Sequence, residues 1–184
     1  TVGPDELRAI ATQLYVEMLK AGYTQVCEFH YLHHQPNGKP YTDPAAMSLA
    51  LVDAAQEAGI GLTLLPTLYM TGGFDGRALG ERQRRFAHDV DGFLRLVERL
   101  RMLESSHLRI GIALHSLRAV PEDAMNAVLD GIAKLSPSRS GTPSSMMSAP
   151  PATSARISGK LRSGCGSPAV IKGISALRPC AASA

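Results

Sequence analysis

Two short segments concentrate the side chains able to do chemistry: His30-Tyr31-Leu32-His33-His34 and His115-Ser116-Leu117-Arg118. A third segment, Pro66-Thr67-Leu68-Tyr69, is milder. Imidazoles transfer protons or bind metals near neutral pH. An arginine fork grips a carboxylate with two parallel hydrogen bonds, so Arg118, just beyond an apolar run, suits a substrate carboxylate. A metal centre needs three or four converging ligands. Neither H-x-H nor H-E-x-x-H occurs, and the adjacent His33 and His34 are poorly placed to chelate from a strand. Those two read more readily as exposed loop residues that cap or contact the backbone. Glu28 and His30 share a face with Val26 by the two-residue period, a face that in a closed barrel could point into the lumen. A carboxylate there needs a hydrogen-bonded partner.

Alternating elements would position these groups. A first helix is predicted from about Pro4 to Ala21, with Leu7, Ile10, Leu14 and Met18 at helical spacing and Gly22 after its end. The β-forming run Tyr23–Tyr31 follows. Asp43-Pro44 is expected to open a second helix striped by Met47, Leu51, Ala54 and Ala58, stopped at Gly59. Ile60–Leu65 reads as a strand closed by Pro66 and buried on both faces. A glycine-bearing loop, Met70–Gly80, leads to the longest expected helix, about Glu81 to Glu104, with Phe86, Val90, Phe93, Val97 and Leu100 on one face. Leu108–Leu114 is a third strand, and a fourth helix starts near Pro121, showing Met125, Val128, Leu129 and Ile132. Such alternation predicts an α/β protein with a parallel sheet, either doubly wound or part of a (β/α)8 barrel. In both, ligands bind at the carboxyl ends of the strands, where four of the six histidines fall. The loop glycines lack the G-x-G-x-x-G spacing of a dinucleotide site.

Composition divides the chain of 184 residues at Leu135-Ser136-Pro137. All 16 acids, all six histidines and every Phe and Tyr lie in 1–135. Residues 136–184 hold six basic residues and no acid, and are dominated by 12 Ser, eight Ala, six Pro and five Gly. They read as a disordered low-complexity tail. The net charge of +3 therefore belongs to the tail, while 1–135 carries 13 basic against 16 acidic residues. Six charges spread over 49 residues without aromatics argue against a nucleic-acid partner. No apolar run approaches the roughly 18 residues of a membrane span. Cys27, Cys165 and Cys180 make no disulfide framework or zinc knuckle, and a reducing cytoplasm is expected.

Four segments carry a recognisable pattern: Glu17-Met-Leu-Lys-Ala-Gly-Tyr-Thr24, Glu28-Phe-His-Tyr-Leu-His-His34, Ala58-Gly-Ile-Gly-Leu-Thr-Leu-Leu-Pro66 and His115-Ser-Leu-Arg-Ala-Val120. Together they resemble the formimidoylglutamate deiminases, within the metal-dependent amidohydrolase superfamily, over roughly residues 4–135. The resemblance implies a (β/α)8 barrel in which the three strands are barrel strands 2, 3 and 4. It implies hydrolysis of N-formimino-L-glutamate to N-formyl-L-glutamate and ammonia in histidine degradation. It implies zinc in the intact enzyme, a small-molecule substrate and a homodimer. Tyr31, His115 and Arg118 match positions that contact substrate in that family, with the arginine on a carboxylate.

The family's zinc ligands lie on an H-x-H of strand 1, a His of strand 5 and an Asp of strand 8, with the catalytic Glu after the strand 5 His. None of these has a counterpart here, so the sequence assigns substrate-binding residues but no catalytic or metal-ligating ones. Where a His-Ile-His-Ile-Ala-Glu-like stretch should follow Leu135, the chain reads Ser-Pro-Ser-Arg-Ser-Gly. An out-of-frame tail accounts for that switch. The reading is a fragment of such an enzyme, inactive alone. The alternatives are another amidohydrolase-type deaminase, or a non-catalytic α/β module with a basic tail. Three parallel strands with open edges also predict a marginally stable, aggregation-prone chain.

Overall fold

The computed structural model describes residues 2–135. The expectation of a disordered tail over 136–184 falls outside the described residues. The described elements are helix α1 (Pro4–Lys20), strand β1 (Gln25–His30), helix α2 (Ala46–Ala58), strand β2 (Gly61–Leu68), a 3-10 turn (Glu81–Phe86), helix α3 (Val90–Arg101), strands β3 (Leu108–Ile110) and β4 (Ala113–Leu114), and helix α4 (Glu122–Leu135). The strands form a parallel sheet in the order β1-β2-β3, with β4 also paired to β2. Chain order and spatial order agree, without the reversal that marks a doubly wound sheet. Right-handed crossovers then place α2 and α3 on one face.

Helix α1 begins on Pro4, whose missing N–H is no loss at a first helical position, and Glu6 reaches back to accept from the Gly3 amide at 2.9 Å. It ends through Gly22 at φ +90°, where the Tyr23 amide donates to the Met18 carbonyl. The expected stripe holds in part: Leu7 and Met18 pack against the core. Ala11 and Tyr15 are buried, whereas Ile10 and Leu14 are more than half exposed. Helix α1 packs chiefly on α2. The hydroxyl of Tyr15 reaches on to Glu28 of β1, which turns the contact side one residue away from the largest aliphatics.

Four other expectations are corrected. The Asp43-Pro44 pair forms a turn ahead of α2: the Asp43 carboxylate accepts from the Ala45 amide and its carbonyl from Ala46, so the helix starts two residues later. The long helix is broken. Asp89 caps α3 by accepting from Gly92, and Ala87-His88 run between the 3-10 turn and α3. The strand expected to stop before Pro66 continues to Leu68, and the third strand splits at Gly111-Ile112. These last two have one cause. Amides of Leu62, Gly111 and His115 bond across the β2–β3/β4 seam, to His107, Leu64 and Leu68 carbonyls. The alternation turns the nitrogen of Pro66 toward that seam, where it has no hydrogen to donate.

The core lies between the sheet and its helices. Leu62, Leu64 and Leu68 of β2 meet Leu51, Phe93, Val97 and Leu100 there. Val128 of α4 joins the same cluster. The other face of β2 is half-buried at Gly61, Thr63 and Leu65, not buried as expected for a doubly covered strand. At Gly111 a Cβ would come within 2.5 Å of the Leu65 Cδ2, so a larger residue there requires the end of the Leu65 side chain to shift. No described helix is long and apolar enough to cross a membrane.

Candidate functional site

The uncovered face of the sheet carries the odd-numbered residues of β1 and β2, including Cys27, Phe29, Thr63 and Leu65. Pairing of β1 with β2 sets Phe29 against Leu65, and pairing of β2 with β4 sets Leu68 against Leu114. Carried one residue further, the latter register sets Tyr69 against His115. Sequence-distant rings therefore gather at the carboxyl end of the strands. The centre of the His115 ring lies 4.3 Å from Tyr69, 5.5 Å from Tyr31 and 6.1 Å from Phe29. Phe86 closes the group, 4.9 Å from Tyr31 and 5.8 Å from Tyr69.

Of the three candidate residues, Tyr31 and His115 thus meet directly, ring edge to ring face. The Nδ1 of His115 lies 3.2 Å from the Ser116 hydroxyl. Partial burial, reinforced by the Arg118 guanidinium nearby, holds the imidazole below the usual histidine range. Arg118 sits in a tight loop: the Thr71 hydroxyl donates to its carbonyl at 2.9 Å, and the amides of Met70 and Thr71 both donate to Ala119. Its backbone is fixed while its side chain stays exposed. A phenol, an imidazole and a guanidinium at one sheet end can hold a small polar anion, with the cation fork on a carboxylate.

A second cluster lies beside the first. His30 and His33 are buried, contrary to the expectation of an exposed His33-His34 pair. The contact with backbone does hold. The Nε2 of His33 bonds the Thr67 carbonyl at 3.0 Å, that of His34 the Ala87 carbonyl at 2.6 Å, and both amides donate to Arg85. His88 joins them, its ring 4.8 Å from His33 and 5.3 Å from His34. Burial, aided by neighbouring imidazoles, pushes His30 down to about 3, His33 to about 4 and His88 to about 3. These rings tie the loop after β1 to the segment before α3.

Glu28 and His30 do lie on one face with Val26, but that face turns toward the helices, where Glu28 accepts from Tyr15 at 3.0 Å. The expected opening onto a lumen is overturned. Among the described residues no group of three or more His, Cys, Asp or Glu could hold a metal ion. Two of the clustered histidines have already committed a nitrogen to a carbonyl. The described residues therefore do not fit a zinc centre.

The sequence named Tyr69 only within a strand-end segment and Phe86 only on a helix face, and gave no sign of Gln83 or His88. Phe86 and His88 were hidden because one unbroken helix was expected through them. The signal was present in Asp89, a good cap residue three places before Gly92. The approach of Tyr69 to His115 follows from the pairing of β2 with β4, which the structure alone supplies.

The architecture is shared with amidohydrolases. The crystal structure of an amidohydrolase from Brucella melitensis superposes with a TM-score of 0.69 at 44% identity, covering 72% of this chain and 30% of that one. An atrazine chlorohydrolase from Arthrobacter aurescens, crystallised with zinc and atraton, superposes at 0.59 and 19% identity, covering 72% and 28%, and supports the fold alone. No family model matches the chain.

A specific relative is formimidoylglutamate deiminase of Pseudomonas aeruginosa, 50% identical over 129 residues. The match takes in 70% of this chain, which spans 28% of the length of that relative. The resemblance read from the four sequence segments is thereby borne out.

Proposed function

We propose that the described residues form part of the substrate-holding wall of a (β/α)8-barrel hydrolase, as its strands 2 to 4. The reaction is deimination of N-formimino-L-glutamate: water adds at the formimino carbon, the C–N bond to the terminal nitrogen breaks, and N-formyl-L-glutamate and ammonia leave. The boundary after residue 135 marks the limit of this part. A cytoplasmic setting, a homodimeric intact enzyme, and neither nucleic acid nor membrane as partner belong to the same reading.

The observation that carries it is the convergence of Tyr31 and His115 on the open face, with Arg118 close enough to act on the imidazole. Arg118 takes a substrate carboxylate through its fork. Tyr31 and His115 supply a hydroxyl and an imidazole to the polar remainder, fixing its orientation. Zinc in the intact enzyme would supply the activated water, and the described residues give it no ligand set, so their share is binding and orientation.

Calorimetric titration of the full chain with N-formimino-L-glutamate tests this. Saturable binding is expected, weakened about tenfold or more in Arg118→Ala, as loss of a charge-assisted hydrogen-bond pair requires. Absence of binding, or an unchanged affinity in the variant, would overturn it.

A further inference from the structure

We propose that Tyr69 and Gln83 are positioning residues that fix the imidazole of His115 within the site. The inference rests on His115 contacting the ligand, as proposed above, and adds how that ring is held. Tyr69 follows the last residue of β2 and is 4% exposed. Its ring lies 4.3 Å from that of His115 at an interplanar angle of 63°, the shortest ring separation in the site. A ring packed at this range restricts rotation of the imidazole.

Tyr69 is itself held at both ends. Its carbonyl accepts from the His88 amide at 3.0 Å, and its hydroxyl accepts from the Gln83 Nε2 at 2.8 Å. The Gly80 amide donates to the Gln83 Oε1 at 3.0 Å, which sets the orientation of the carboxamide and leaves its NH2 facing the phenol. The 3-10 turn therefore braces Tyr69 through Gln83, and Phe86 of the same turn packs on both Tyr69 and Tyr31. A turn distant in sequence from His115 thus sets where that ring lies.

The test uses the full chain, labelled at histidine, with two readouts. NMR titration follows the protonation of His115, and calorimetry follows N-formimino-L-glutamate. In the unaltered chain His115 titrates below the ordinary histidine range. Tyr69→Leu is expected to move that titration back toward the ordinary value and to weaken the ligand about tenfold; Gln83→Leu should move it the same way by less and weaken the ligand about threefold, with Tyr69→Phe matching Gln83→Leu because it keeps the ring and loses the brace. If Tyr69→Leu fails to fold, Gln83→Leu and Tyr69→Phe decide the matter. Unchanged His115 titration in folded Gln83→Leu and Tyr69→Phe overturns the proposal. Should the unaltered chain not bind the ligand while the titration shifts as described, the positioning role stands and the assigned substrate falls.

Discussion

His33 and His88 meet edge to face with ring centres 4.8 Å apart, joining the loop after β1 to the segment before α3. His33 is buried and His88 half-buried, and each has one buried ring nitrogen unpartnered among the described residues. Each is held far below its ordinary value by desolvation, so the unfolded chain binds protons that the folded chain refuses. Stability is fully present above about pH 6.5 and is lost as pH falls toward the folded values of about 4 and 3. Each such group contributes a slope of about 1.4 kcal/mol per pH unit within that window. The urea midpoint should therefore fall steeply between pH 7 and 5, and less steeply in His88→Phe. A midpoint flat across this range would show that the cluster opens to solvent.

Tyr15 donates to Glu28 across the α1–β1 contact, while Leu14 beside it points outward. Tyr15→Phe should cost about 1–2 kcal/mol, because it removes a hydrogen bond to a carboxylate that is only partly wet. Leu14→Gln should change stability by less than about 0.5 kcal/mol. Chemical denaturation of both variants checks the orientation of α1, and the reverse ranking would mean that Leu14 of the expected stripe also faces inward.

Phe93 is wholly buried at the junction of α3 with the sheet. Phe93→Ala should cost about 3–5 kcal/mol, from lost transfer free energy and the cavity left behind. With both sheet edges open among the described residues, that is a large share of the total. The variant is expected largely unfolded by circular dichroism at 25 °C, and a cooperative melt near that of the unaltered chain would contradict the assigned core.

Arg118→Lys keeps the charge and loses the fork. If the fork grips a carboxylate, the lysine variant should bind N-formimino-L-glutamate about tenfold more weakly, with steeper salt dependence. Equal affinity in calorimetry would assign Arg118 a general electrostatic role.

Local and periodic features were legible in the sequence because their causes are local. Pro4, Gly22 and Gly59 mark helix ends through backbone geometry, and the alternation of helices and strands follows from spacing. Four short segments, among them those ending in His34 and starting at His115, together carried the resemblance to formimidoylglutamate deiminases. What the sequence left open depended on partners distant in the chain. Burial of Glu28 against Tyr15, of His33 against His88 and of Tyr69 against His115 each joins separate elements, through strand register and helix packing that no single window contains. Register decided the site most directly. A parallel pairing shifted by one residue would turn Tyr69 to the helix side and leave His115 without its nearest ring. The sequence by itself determined which groups could hold a substrate, and the tertiary structure decided which of them stand on the same face.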